Sequence, residues 1–111
     1  HVVDLARAHV AAVNFADKAE GPHVFNVGTG QPYSVKEMLA AFEKACGKTL
    51  PYKIAPRRAG DIAAMQADAS LAKSQMGWEA THSLEDMAAS TWDWQSNNPA
   101  SAPWKWPLAM V

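Results

Sequence analysis

One stretch of the sequence restricts the possible folds of this chain most strongly. It has the pattern of a strand, a turn, a helix, a glycine and a second strand. Residues 23–27 include the β-branched Val24 and Val27 and the aromatic Phe25, a composition that is typical of a short buried strand. After a glycine turn, a serine with a glutamate three residues later forms a capping box, which predicts a helix over 34–46 ending at Gly47. Residues 51–55 predict a second strand. We therefore expect one parallel βαβ unit with a right-handed crossover.

Three further helices are expected to surround this unit, over residues 4–18, 69–76 and 83–97. Asp68 is placed to cap the second of these, and Trp78 to fold back on it. The first has a broad apolar side, made by Val2, Leu5, Ala6, Val10, Ala12 and Val13. The expected fold class is thus α/β, in the mixed α+β sense, with all of these elements in one small domain.

Length and composition set outer limits on organisation and function. The 111 residues suffice for one domain, which we place at residues 1–99, followed by a tail over residues 100–111 that contains proline and tryptophan. A net charge of −1 argues against a nucleic-acid partner, which requires a cationic surface. No apolar run approaches the roughly 20 residues of a membrane helix, and no signal peptide is recognisable.

Most catalytic and metal-binding patterns are missing from the sequence. The histidines and Cys46 are scattered without the close pairing of zinc sites, so we expect no metal. No Gly-x-Ser-x-Gly elbow is present. Gly28-Thr29-Gly30 resembles the start of a dinucleotide-binding turn, but Tyr33 occupies the third glycine position. A tight turn with positive φ explains these glycines better than a cofactor does.

The segment Arg57-Arg58-Ala59-Gly60-Asp61 is the strongest candidate for ligand binding on chemical grounds. A guanidinium binds phosphate through a bidentate fork. A carboxylate three residues later can accept hydrogen bonds from sugar hydroxyls, and the intervening glycine lets the loop approach a ligand closely. The alternative is an ordinary solvated loop with an ion pair of little energetic value.

Several sequence blocks together resemble a known family. They are His1-Val2-x-Asp4-Leu5-Ala6, Val24-Phe25-Asn26-Val27-Gly28-x-Gly30, Ser34-Val35, Tyr52-x-Ile54-x-Pro56-Arg57-Arg58-x-Gly60-Asp61, Ala67-Asp68-x-Ser70, Gly77-Trp78 and Thr91-Trp92-x-Trp94-Gln95-Ser96-Asn97-x-Pro99. In this order they resemble the C-terminal third of the UDP-glucose (UDP-galactose) 4-epimerases. These enzymes are extended short-chain dehydrogenases/reductases with a Rossmann-type N-terminal domain.

The resemblance implies a role in UDP-sugar binding for four residues. Arg58 matches the family arginine that grips the UDP diphosphate, and Asp61 matches its partner on the ribose hydroxyls. Val35 matches an apolar contact to the uridine. Met65 falls beside the hexose, at a position that helps to set which sugars fit. No catalytic residue and no NAD-binding residue of the family matches a position in this chain.

The same resemblance implies how the intact protein works. It would be a cytoplasmic, NAD-dependent isomerase of galactose metabolism, dimeric through the missing Rossmann domain, and this chain alone would be inactive. Without that domain we expect exposed apolar surface, around the helix over 83–97. Two alternatives stay open: a free-standing module that binds a nucleotide or protein through Trp104 and Trp106, and a piece of another nucleotide-sugar enzyme of the superfamily.

Overall fold

Four helices make up the secondary structure of the part of the chain described by a computed structural model, residues 1–98. They are α1 (Val2–Ala16), α2 (Val35–Cys46), α3 (Ser70–Met76) and α4 (Leu84–Asn97). Each lies within two residues of its predicted bounds. None of these helices has the length and apolar character to cross a membrane. The predicted tail over 100–111, with Trp104 and Trp106, lies outside the described residues.

The predicted βαβ unit is wrong for this chain, because residues 1–98 contain no strand. Residues 23–27 and 51–55 have strand-like composition, but a strand also needs a neighbouring strand to accept and donate its backbone hydrogen bonds. Phe25 and Val27 pack on helical residues instead. Residues 51–55 are all exposed. The predicted α/β class is therefore wrong for the described residues, which form helices joined by extended connections.

The described residues group into two compact units. Unit 1 contains His1–Pro32 and Ala64–Ser83, and thus α1 and α3. Unit 2 contains Tyr33–Ala63 and the described residues from Leu84 onward, and thus α2 and α4.

Unit 1 has a small core around the indole of Trp78. This side chain is buried with Ala8 of α1 and Ala72 of α3. Partly buried residues of both helices, together with Phe25 and Val27 from the extended segment at residues 23–27, pack around them. As predicted, α3 ends at Gly77 and the tryptophan folds back on it, with its backbone N–H donating to the Ala72 carbonyl at 3.3 Å. Asp68 does not cap α3 as predicted. Its carboxylate accepts from the Ser70 backbone N–H at 2.9 Å, while Ala69 is the N-cap.

The buried carboxylate of Asp4 joins α1 to the segment that follows Trp78. It accepts hydrogen bonds from the backbone N–H groups of Thr81 and His82, at 3.1 and 3.0 Å. The Thr81 hydroxyl donates at 3.0 Å, and Nδ1 of His82 lies at 2.8 Å. The Asp4 carbonyl accepts from the Trp78 indole N–H at 2.9 Å. Burial opposes ionisation, but the hydrogen bonds from His82 and Thr81 outweigh it and hold the pKa of Asp4 well below its ordinary value.

Unit 2 is a pair of helices, α2 and α4, that meet through small residues. Ala41 of α2 and Ala88 of α4 are buried, which lets the two backbones approach closely. The predicted capping box is confirmed. Ser34 N–H donates to the Glu37 carboxylate at 2.7 Å, and Glu37 N–H donates to the Ser34 hydroxyl at 3.2 Å. The hydrogen bonds from Ser34 lower the pKa of Glu37.

Much apolar surface remains exposed, as expected, but its main location differs from the prediction. Trp92 and Trp94 on α4 are partly exposed. The larger patch is on α1, which packs through the side that bears Asp4 and Ala8. Its broad apolar side therefore faces outward, with Val10 and Val13 each 63% exposed.

Acid is expected to loosen unit 1 through Asp4. A carboxylate whose pKa is depressed on folding stabilises the protein above its unfolded-state pKa, here about 3.8, and this contribution is lost as the pH falls through the lower folded-state pKa. The indole N–H resonance of Trp78, followed by NMR from about pH 5 to about pH 2, should report the loss. Asp4→Asn should remove this pH dependence, and an unchanged profile in that variant would contradict the assignment.

Gly28 is expected to be required for close packing in unit 1. A Cβ at this position would lie 3.0 Å from the Cβ of Ala67. Gly28→Ala should therefore lower the free energy of unfolding by about 1 kcal/mol, as overpacking does, measured by urea denaturation. In a double-mutant cycle with Ala67→Gly the two changes should compensate each other. Strictly additive effects would show that the contact is not the cause.

Candidate functional site

The predicted phosphate-binding segment forms a closed four-residue turn in unit 2. The backbone N–H of Asp61 donates to the Arg58 carbonyl at 3.2 Å. In return, the backbone N–H of Arg58 donates to the Asp61 carboxylate at 3.0 Å. Nε of Arg58 lies 3.6 Å from the same carboxylate. Two reciprocal hydrogen bonds thus fix the Arg58 backbone and the Asp61 carboxylate, and the guanidinium lies beside that carboxylate.

Gly60 allows this turn to close. Its φ of +87° lies in the left-handed region, which residues with a Cβ rarely adopt. A residue with positive φ at the third position of a four-residue turn is typical of a type II turn, in which glycine is preferred. The glycine that was predicted to allow a close ligand approach is thus needed first for the backbone geometry that pairs Arg58 with Asp61.

The charged groups of this turn are accessible to a ligand. The Arg58 side chain is 88% exposed, and the Asp61 side chain is 38% exposed. An exposed ion pair of this kind contributes little to stability. A guanidinium in water can exchange solvent for the oxygens of a phosphate, and the carboxylate beside it can accept hydrogen bonds from hydroxyl groups.

Val35 is placed by the capping box at the first position of α2. Its side chain is 62% exposed, so it is an apolar group presented at a helix start rather than part of the core. It belongs to unit 2, as do Arg58 and Asp61. Unit 2 therefore contains three of the four predicted UDP-sugar residues.

Met65 belongs to unit 1, where it lies in the extended segment before α3. Its side chain is 77% exposed. No strong hydrogen bond can hold its side chain, because the thioether sulfur is only a weak acceptor. Its flexible side chain can adapt to different neighbours.

The glycine turn at residues 28–30 lacks the third glycine of a dinucleotide-binding turn, where the chain has Tyr33. Gly30 has the predicted positive φ of +72°, but the same prediction is wrong for Gly28. Gly28 is required by packing instead, since a Cβ at this position would lie 3.0 Å from the Cβ of Ala67. A cavity of about 390 Å³ lies beside the turn. Two of its charged groups, Lys73 and Glu79, are paired with each other. The absence of a side chain at Gly28 is thus explained by close packing within unit 1.

A second cavity, of about 330 Å³, lies in unit 2 beside the start of α4. It is lined by Tyr33, Glu37, Ala40, Ala41, Lys44, Leu84 and Glu85. Glu37 is already engaged in the capping box. Neither of these two cavities is lined by a predicted UDP-sugar residue, so the candidate site is the open surface at the Arg58–Asp61 turn.

The structure brings together two histidines that are distant in sequence. The rings of His1 and His82 stack with their centroids 4.2 Å apart, and Asp4 lies next to His82. Among residues 1–98 no group of three or more His, Cys, Asp or Glu side chains is arranged to hold a metal ion. Arg7, whose guanidinium is 3.7 Å from Asp4, adds positive charge that disfavours a cation here. Long-range pairing of this kind leaves no signal in sequence spacing.

Two curated relatives of this chain are UDP-glucose 4-epimerases. The chain is 53% identical over 103 residues to a UDP-glucose 4-epimerase from Yersinia pestis, covering 93% of this chain and 30% of that protein. It is 56% identical over 99 residues to a UDP-glucose 4-epimerase from Bifidobacterium longum, covering 89% of this chain and 29% of that protein. No protein-family model matches the chain.

A solved structure shows the same similarity at the level of the fold. It is a crystal structure of the Bifidobacterium longum UDP-glucose 4-epimerase in complex with NAD+ and UDP. The superposition has a TM-score of 0.83 at 56% sequence identity and covers 89% of this chain but 29% of that one. The chain spans about 30% of the length of the curated relatives that it matches. In sequence and fold it corresponds to the C-terminal portion of the UDP-glucose 4-epimerases.

Proposed function

We propose that this chain forms one wall of the UDP-sugar site of an NAD-dependent enzyme that interconverts UDP-glucose and UDP-galactose. The observation that carries this proposal is the Arg58–Asp61 turn, in which an exposed guanidinium and an exposed carboxylate are held together by the backbone. The Bifidobacterium longum epimerase, which is 56% identical, was crystallised with UDP. A nucleotide diphosphate offers both the anionic oxygens and the ribose hydroxyls that such a turn can recognise.

Each of the four site residues has a separate task in this proposal. The guanidinium of Arg58 binds the diphosphate as a charge-assisted fork, and the carboxylate of Asp61 accepts hydrogen bonds from the ribose. Val35, exposed at the start of α2, contacts the apolar edge of the uracil. Met65 contacts the hexose and restricts the size of its substituents. The tasks are binding and orientation, and none of these side chains exchanges a proton or hydride with the sugar.

The chemical step takes place in a part of the intact protein that does not include these four residues. Bound in the intact enzyme, NAD would supply reversible hydride transfer at C4 of the sugar. The glycine turn at residues 28–30 lacks the third glycine of the dinucleotide-binding pattern, since Tyr33 stands there. Tyr33 and Tyr52 are followed four residues later by Glu37 and Pro56, so neither forms a Tyr-x-x-x-Lys pair.

The remaining parts of the proposal concern the intact protein. Residues 1–99 act as its C-terminal substrate-binding domain, with residues 100–111 as a tail. Its N-terminal Rossmann domain is the partner of this chain, supplies the NAD site and forms the homodimer. The enzyme works in the cytoplasm in galactose metabolism. The chain by itself does not turn over UDP-galactose, and turnover by the pure chain with added NAD would contradict this.

UDP is expected to bind at the Arg58–Asp61 turn. In a two-dimensional amide NMR titration with UDP, the shift changes should concentrate at Val35, Arg58 and Asp61. Arg58→Ala should weaken binding by about tenfold or more, because a charge-assisted contact to phosphate is lost. Arg57→Ala is the matched control, since it removes the neighbouring arginine, and should change the affinity much less. Equal losses of UDP affinity in the two variants would indicate nonspecific charge attraction and would contradict the assignment. Chemical-shift changes centred on Gly28 would show that the nucleotide binds at another place.

A further inference from the structure

The segment around the Arg58–Asp61 turn is held by few contacts within the described part of the chain. Residues 57–63 are all exposed, so packing restricts their backbone little. From any of residues 1–98, no hydrogen bond reaches this segment other than the two that join Arg58 and Asp61. One of these two is accepted by a side chain, the Asp61 carboxylate, from the Arg58 backbone N–H at 3.0 Å. The place of the Arg58 backbone therefore depends on that carboxylate.

The Asp61 carboxylate has enough acceptor capacity for a ligand as well. The two oxygens of a carboxylate offer about four lone-pair sites. Oδ2 accepts from the Arg58 backbone N–H, and Oδ1 lies 3.6 Å from Nε of the same residue. The side chain of Asp61 is 38% exposed, so its remaining lone pairs are open to hydroxyl groups of a ligand. Holding the Arg58 backbone and binding ribose are thus compatible tasks of one carboxylate.

The charge of Asp61 opposes the binding of an anion beside it. A carboxylate next to a phosphate repels it and so weakens the attraction that the Arg58 guanidinium provides. The ion pair between the two side chains is exposed and adds little stability to the turn. An acidic side chain at this place therefore disfavours phosphate binding unless it also assists that binding by another route. The hydrogen bond to the Arg58 backbone is such a route.

From these observations we infer that Asp61 is a positioning residue for Arg58, which assembles the diphosphate-binding turn without itself touching the diphosphate. It acts through the hydrogen bond from the Arg58 backbone N–H to its carboxylate, which fixes the point from which the guanidinium projects. This role rests on the proposed function, in which Arg58 binds the diphosphate. It gives Asp61 a second task beside the contact with ribose, so that the affinity for phosphate depends on an acidic residue.

Three ligands separate the two tasks of Asp61. Uridine contains the ribose without phosphate, pyrophosphate contains the phosphates without ribose, and UDP contains both. Their dissociation constants are measured by isothermal titration calorimetry on a chimera in which this chain, residues 1–111, replaces the matched C-terminal portion of the Bifidobacterium longum epimerase. Asp61→Ala removes both the acceptor and the charge. Asp61→Asn is the matched control, because it removes the charge but keeps an oxygen that can accept from the Arg58 N–H.

Asp61→Ala is expected to weaken pyrophosphate binding by about threefold or more, because the hydrogen bond that holds the Arg58 backbone is lost. Asp61→Asn should bind pyrophosphate at least as tightly as the parent, because it keeps this hydrogen bond and removes the repulsion. Unchanged or tighter pyrophosphate binding in Asp61→Ala would overturn the positioning role, since a carboxylate that contacts ribose alone does nothing but repel this ligand. Equal weakening in both variants would overturn it as well, because the retained acceptor would then have no effect.

A double variant shows whether the effect of Asp61 passes through Arg58. Arg58→Ala combined with Asp61→Ala should bind pyrophosphate no more weakly than Arg58→Ala alone, because no guanidinium is left to position. Additive losses would contradict this route. Thermal unfolding midpoints equal to that of the parent confirm that each variant is folded, and uridine binding should be unchanged in Arg58→Ala, since that ligand has no phosphate.

The same measurements separate the positioning role from the proposed function. Unchanged affinity of Arg58→Ala for both UDP and pyrophosphate would refute the proposed site and, with it, the role of Asp61. Weaker binding of both ligands in Arg58→Ala, together with unchanged pyrophosphate binding in Asp61→Ala, would support the proposed site and refute the positioning role alone. Weaker uridine binding in Asp61→Ala reports on the ribose contact, which the pyrophosphate measurement does not include.

Discussion

The hydrogen-bonded carboxylate of Asp4 is the interaction on which unit 1 depends. It joins α1 to Thr81 and His82, which are separated from it by most of the chain, and the carbonyl of the same residue receives the indole N–H of Trp78. Donors surround the charge on several sides, so its burial is compensated by directed hydrogen bonds. Few large side chains are buried in this unit, and a polar contact therefore contributes more to its specificity than it would beside a large core.

The same contact decides which side of α1 faces outward. A helix rich in aliphatic residues normally buries its apolar stripe. In this chain the side with Asp4 and Ala8 is packed, since only that side can receive the donors of the 81–82 segment. Val10 and Val13 are left in contact with water.

The helices could be predicted from sequence because their stabilising interactions are local. The capping box of Ser34 and Glu37 and the glycine after α2 lie within a few residues of the groups that they satisfy. Strand prediction failed for the opposite reason: composition indicates that residues 23–27 suit a sheet, but not whether a neighbouring strand exists. Likewise no local pattern could reveal that Asp4 meets His82, or that α1 packs through its less apolar side.

The candidate site shows the same division between local and distant determinants. The pairing of Arg58 with Asp61 was expected only in the alternative interpretation of this segment, as a solvated loop with an ion pair. It is local in origin, because a four-residue turn brings its ends together without help from the rest of the fold. Val35 is likewise placed by the helix start at Ser34. Their tasks in UDP binding came from the family resemblance, as did that of Met65. The Arg58–Asp61 turn and the start of α2 are therefore each organised by residues close to them in sequence. Both can keep their local geometry when the surrounding protein changes.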